Sequence, residues 1–148
     1  DTQPINLLYC NHSVGVNPER VRINELLKEK DWVTIKSPIS IDDENYTRYL
    51  KEIKSHKFVL CPDGNAIGCE CHRDWEVLYM RRVPVVKRTK YLTNMFEGIP
   101  VLFIDDYSDI SKDLLIQNNH LYESMQSLDM NRLDMKFIYD NCVKKSLS

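Results

Sequence analysis

The feature that most narrows the possible folds is an alternation of short, unbroken apolar runs with stretches of helical spacing. INLLYC (5–10), WVTI (32–35), KFVLC (57–61), VPVVK (83–87) and IPVLFI (99–104) each read as a strand. Their apolar residues are continuous and do not alternate, as expected of strands buried on both faces. Pro18 sits at the first position of a helix predicted to run to Lys30, with Val21, Leu26 and Leu27 as its core face. Asp42 to Lys54 places Tyr46, Tyr49, Leu50 and Ile53 at helical spacing behind the capping candidates Ser40 and Asp42. A third helix runs from about His72 to Met80, and a short irregular or single-turn helical stretch lies around Tyr91 to Phe96. From Ser108 the pattern is helical, broken near Asn118-Asn119 and again near Asp129.

Strands joined by crossover helices imply an α/β fold: a parallel sheet with helices on both faces, three layers in all. Right-handed crossovers leave few topologies, and the one favoured here is the flavodoxin-like order 2-1-3-4-5. In such a sheet ligands bind beyond the carboxyl ends of the strands, where the chain leaves strands 1 and 3 in opposite directions. The segments meeting there are the loops 11–18 and 61–71.

Composition sets outer bounds. With 148 residues, residues 1–148 form a single domain, 108–148 being its helical carboxyl-terminal segment. The net charge is −2 and no basic run suits nucleic acid. No apolar stretch is long enough to span a bilayer. The chain starts at Asp1, which suggests trimming. Five cysteines (Cys10, Cys61, Cys69, Cys71 and Cys142) fit reduced thiols and a cytoplasmic setting better than a disulfide framework.

The stretch CPDGNAIGCECHRDWEVLY (61–79) carries most of the functional signal. A zinc knuckle from Cys61, Cys69, Cys71 and His72 is not expected, because Cys-x-Cys-His lacks the two-residue gap of paired zinc cysteines. As a strand-to-helix loop the stretch makes better sense. Gly64 and Gly68 permit close backbone approach to a ligand. The helix start directs N–H groups and partial positive charge into the crevice, which suits a phosphate. His72 and Arg73 in the first turn are unfavourable there unless an anion is bound, and Glu76 follows on the same side, placed to accept from ribose hydroxyls. The plainer reading is a solvated Glu76 paired with Arg73 on an exposed face. Trp75, Leu78 and Tyr79 read as core residues on the opposite side.

The runs HKFVLCPDGNAIGCECHRDWEVLYMRRVPVVKR (56–88), GIPVLFIDDYSDI (98–110) and LLYCNHSVGVNPERVRINELL (7–27) together resemble exostosin-like glycosyltransferases, over roughly residues 5–115. The shared pattern is a strand, Cys-Pro-x-Gly, a loop, Arg-x-x-Glu on a helix and a Pro-Val-Val strand; Ala66 to Cys71 departs from it. The resemblance implies the carboxyl-terminal Rossmann-like domain of a two-domain GT-B enzyme, metal-independent and without a cofactor, binding a UDP- or GDP-type nucleotide-sugar donor. It implies that Arg20 and Arg73 contact the diphosphate and Glu76 the ribose, while His72 meets phosphate or sugar and Gly64 and Asn65 shape the loop. The carbohydrate acceptor and the catalytic base would belong to an amino-terminal domain that this chain lacks.

Two alternatives come from other classes. A receiver-like module needs acidic residues after strand 1 and at the end of strand 3; Cys10-Asn11-His12 and Cys61-Pro62 stand there instead. A non-catalytic, flavodoxin-like nucleotide-binding or scaffold module is the other.

Overall fold

The structure, a computed structural model, describes residues 3–13, 15, 17–38, 42–63 and 72–134. Five parallel strands, β1 (Asn6–Asn11), β2 (Val33–Lys36), β3 (His56–Leu60), β4 (Val83–Lys87) and β5 (Leu102–Ile104), form one sheet in the order β2-β1-β3-β4-β5. This is the Rossmann-like α/β sheet expected from the alternation. Leu8 pairs with both Val33 and Phe58, which fixes β1 between β2 and β3.

The helices are α1 (Pro18–Leu27), α2 (Asp43–Lys54), α3 (His72–Tyr79), α4 (Lys90–Met95), α5 (Lys112–Gln117) and α6 (Asn119–Gln126). Asn17 caps α1 by accepting from the Glu19 N–H, with Pro18 just inside it. Asp42 caps α2, and Thr89 caps α4. Each cap satisfies an amide that a helix start leaves without a backbone partner.

The pleat sends neighbouring residues of each strand to opposite faces, so both faces carry a core. On one face Tyr9, Val59 and Val86 pack against Ile53 of α2, Val77 and Leu78 of α3, and Leu92 of α4. On the other, Leu8, Phe58, Leu60 and Val85 pack against Ile23 and Leu27 of α1, Leu115 of α5 and Tyr122 of α6. This double coverage is why the strands read as unbroken apolar runs.

Two expected helix faces are corrected. In α1 the buried residues are Arg20, Ile23 and Leu27, whereas Val21 and Leu26 are exposed. A buried arginine occupies one position of the inward stripe, and the apolar spacing misleads accordingly. In α3 Tyr79 is half-exposed, its hydroxyl donating to the Leu133 carbonyl at 3.4 Å, and Val77 takes the core position instead. Trp75 does pack inward, edge-on to Phe96 with ring centroids 5.6 Å apart. Among the described residues no helix is long and apolar enough to cross a membrane.

Candidate functional site

The strand order places the switch point between β1 and β3, where α1 leaves to one face and the chain after β3 to the other. Beyond the carboxyl ends of these strands lie His12 and Ser13 on one side and Cys61, Pro62 and Asp63 on the other.

Arg20 ties the two loops together. From the first turn of α1 its Nε donates to the Asp63 carbonyl at 3.0 Å and Nη1 to the Ser13 carbonyl at 3.0 Å. Nη2 donates to the Pro62 carbonyl at 3.4 Å. The residue is buried. A rigid planar guanidinium with donors in a fork is well suited to such a clasp, and its charge stays at the crevice floor. The loop after β3 has a second fastening: the Asp63 N–H donates to the Tyr107 hydroxyl at 3.3 Å. Burial pushes that hydroxyl's pKa up to about 12, so it remains protonated at neutral pH.

Arg73 enters from the first turn of α3 and is half-buried. Its position shows in its neighbours. Burial pushes the Cys10 thiol up to about 12, with the Arg73 charge pulling the other way. Burial also raises the Tyr49 hydroxyl far above its ordinary value, again opposed by Arg73. The Arg73 charge therefore acts both on the end of β1 and on α2. Glu76 follows one turn further along α3, and its carboxylate first, then burial, raises the pKa of the Tyr46 hydroxyl on α2.

His12 lies between the two arginines. Only 4% of it is exposed, and neither ring nitrogen has a hydrogen-bond partner. Burial first, then the charges of Arg73 and Arg20, push the imidazole down to about 4, with the nearby Arg20 backbone and Asn24 amide pulling weakly back. The Asn24 Oδ1 is itself buried without a partner. Unpartnered buried polar atoms are uncommon and costly, and here His12 and Asn24 bring them together beyond the carboxyl end of β1.

The residues singled out in the sequence fall as follows. Arg73 and Glu76 stand one turn apart on α3 and Arg20 in the first turn of α1; Arg73 and Arg20 both act on His12. His72 is exposed at the start of α3. Gly64 and Asn65, like Cys69 and Cys71, lie outside the described residues. Cys61 and Cys10 are buried thiols. Among the described residues no group of three or more His, Cys, Asp or Glu side chains is arranged to hold a metal ion. Three nearby positions were not among the candidate site residues: His12 falls within the loop 11–18, and Tyr46 and Tyr49 were placed only at helical spacing. The first turn of α3 also holds a buried acid, Asp74, which the helix dipole favours beside the basic pair.

No family model matches the chain, and no curated protein matches it. Among solved structures it is similar to an alpha1,3-fucosyltransferase, with a TM-score of 0.59 and 15% sequence identity. The similarity covers 84% of this chain but 38% of the other, so the chain spans well under half the length of its structural neighbour. At that identity the likeness is one of fold: the crevice described above belongs to an architecture that a fucosyltransferase also uses.

Proposed function

We propose that this chain is the donor-binding half of a glycosyltransferase, holding a nucleoside-diphosphate sugar of the UDP or GDP type at the carboxyl ends of β1 and β3. One observation carries the reading: Arg20 and Arg73 converge on a buried neutral histidine where the amino terminus of α3 enters the crevice. Two fixed positive charges and a helix start at a switch point suit a diphosphate. The fold shared with a fucosyltransferase supports glycosyl transfer as the chemistry. The exostosin-like pattern supports the finer assignment to a two-domain GT-B enzyme.

In this reading Arg73 contacts the diphosphate, while Arg20 contributes charge and holds the loops 11–13 and 61–63 in register. Glu76 accepts from the ribose hydroxyls, and exposed His72 meets phosphate or sugar. Gly64 and Asn65, outside the described residues, are assigned to shaping the loop over the diphosphate. Transfer breaks the bond between the anomeric carbon and a diphosphate oxygen, and the electron pair leaves with the diphosphate. Positive charge held against that oxygen stabilises the transition state more than the ground state. The acceptor hydroxyl bonds to the anomeric carbon and loses its proton to a base on a separate acceptor domain. Because arginines supply the charge, no divalent cation is required.

Calorimetric titration with UDP, GDP and pyrophosphate tests the proposal. Binding of a nucleoside diphosphate, undiminished by a chelator and weakened by Arg73→Ala, is expected. Absence of binding by all three probes would contradict the donor-site reading.

A further inference from the structure

The side chain of Asn11, the last residue of β1, is held by a chain of hydrogen bonds that starts on α2. Glu52 of that helix accepts from the Tyr9 hydroxyl, and Asn11 Nδ2 donates to the same hydroxyl oxygen at 2.9 Å. The Tyr9 ring is fully buried, with the centroids of His56 and Tyr49 at 4.8 Å and 6.4 Å from its own. His56 is itself fastened at both nitrogens, Nδ1 to the Glu52 carbonyl at 2.7 Å and Nε2 to Thr34 Oγ1 at 2.8 Å. Burial first, then Glu52, raise the Tyr9 hydroxyl far above its ordinary pKa, so it keeps its proton at neutral pH.

The order of donors decides which way the Asn11 amide faces. A carboxylate only accepts, so the tyrosine proton goes to Glu52 and the tyrosine oxygen is left to accept. Asn11 must present its NH2 to that oxygen, reaching back along the strand to residue 9. Its carbonyl oxygen, on the other arm of the planar amide, is turned away from Tyr9, toward the carboxyl end of β1. Among the described residues nothing donates to this Oδ1. Asn11 is only 9% exposed, yet Oδ1 is not sealed from solvent as the ring nitrogens of neighbouring His12 are. The oxygen is the open part of an otherwise buried side chain. Residues 9 and 11 share the sheet face that carries α2 and α3, at the switch point.

We infer that Asn11 contacts the donor, its Oδ1 accepting from a hydroxyl group, and that Tyr9 and Glu52 are positioning residues that keep this oxygen turned outward. The inference rests on the donor-site reading given above. The diphosphate is not the partner, because ionised phosphate oxygens and a carbonyl oxygen both accept. A hydroxyl of the ribose or of the transferred sugar supplies the donor that this oxygen lacks. A strand end that needed only packing would be served by an apolar residue. A carboxylate–phenol–amide chain that ends in an open acceptor instead fixes the direction of one atom.

The test is calorimetric titration of the parent chain, Asn11→Leu, Tyr9→Phe, the double variant and Arg73→Ala, with pyrophosphate, UDP, GDP, UDP-glucose and GDP-mannose as probes. Leu keeps the shape of Asn without its polar atoms. Loss of one hydrogen bond predicts that Asn11→Leu raises Kd roughly 3- to 10-fold for the probes that bear the hydroxyl. Pyrophosphate, which bears none, should change less than about twofold. A loss shared by a nucleoside diphosphate and its sugar form puts the contact at the ribose; a loss in the sugar forms alone puts it at the transferred sugar. Tyr9→Phe frees the amide and should weaken the same probes about 2- to 5-fold, with no further loss on top of Asn11→Leu. In the parent itself, the NMR cross-peaks of the Asn11 side-chain NH2 should shift when a nucleotide probe binds. The inference is overturned if Asn11→Leu binds every probe like the parent, if pyrophosphate affinity falls as far as that of the other probes, or if those cross-peaks stay put at saturation. A Tyr9→Phe variant that binds like the parent, or whose loss adds in full to that of Asn11→Leu, overturns the positioning role. A parent chain that binds no probe, or an Arg73→Ala variant that binds pyrophosphate as the parent does, overturns the donor-site reading and this inference with it. A normal Arg73→Ala loss beside an unchanged Asn11→Leu overturns the role of Asn11 alone.

Discussion

The two ends of the sheet differ in a way that separates emptiness from function. At the amino-terminal ends of β1 and β2 lies a cleft of about 210 Å³, lined by Ile5, Asn6, Leu7, Asp31, Trp32, Thr34 and Lys112. Its charged residues lie at exposed positions, where water screens them. At the carboxyl end, Arg20 and Arg73 in the first turns of α1 and α3 act on buried His12 beyond β1, and Glu76 follows one turn further along α3. The first end has volume without convergent chemistry; the second has convergent, desolvated charge at the position where this topology binds ligands. Charges held out of water act on a bound anion far more strongly than surface charges do.

Several changes break or sharpen this contrast. The largest effect belongs to neither end but to the scaffold that sets both. Phe58→Ala empties a fully buried position in β3 and should cost about 3–5 kcal/mol of stability, read from urea unfolding. A loss under about 1 kcal/mol would contradict the packing described for that face.

Next comes pH. His12 has its pKa lowered to about 4, so the folded state holds it neutral while the unfolded state binds the proton more readily. The stability cost is absent above the ordinary histidine pKa of about 6.5 and complete below about 4. Stability should therefore fall between about pH 6.5 and 4, by about 3 kcal/mol from this group. His56, also lowered, first by burial, contributes in the same direction. His12→Asn should flatten that part of the profile, as seen in urea midpoints measured at pH 7 and pH 4.5. An unchanged slope would remove His12 from its buried, neutral place between the arginines.

A smaller effect distinguishes the ends directly. Arg73→Ala should remove a charge-assisted contact of about 1.5–3 kcal/mol with a nucleoside diphosphate. Lys112→Ala at the amino-end cleft should change the same affinity less than twofold, about 0.4 kcal/mol. Equal losses would mean a long-range field is being measured instead of a site. Smallest is Glu76→Gln, expected to weaken free nucleoside and nucleoside diphosphate alike by about 1 kcal/mol, because the ribose contact is common to both. Loss confined to the diphosphate would reassign Glu76 to holding α3.

Much of this architecture was legible before any coordinates. The strands were visible because burial on both faces makes each an apolar run, and β4 (Val83–Lys87) matched its run in full. Pro18 and Asp42 marked helix starts because the chemistry of a cap is local. That Arg73 and Glu76 share one helix was readable because their spacing is local. What stayed hidden depends on contacts across the chain. Arg20 disguises the inward face of α1, since its burial depends on carbonyls 42 and 43 residues away at Pro62 and Asp63. His12 carried no signal, because what distinguishes it is a pair of arginines brought near only by folding.

The central claim, that the carboxyl end of the sheet is the binding site, is tested most directly by amide hydrogen exchange with and without saturating UDP or GDP. Slower exchange is predicted in 11–13, 61–63 and 72–76, with no change in 5–7 and 31–34. Protection confined to 5–7 and 31–34, at the amino-end cleft, would contradict it.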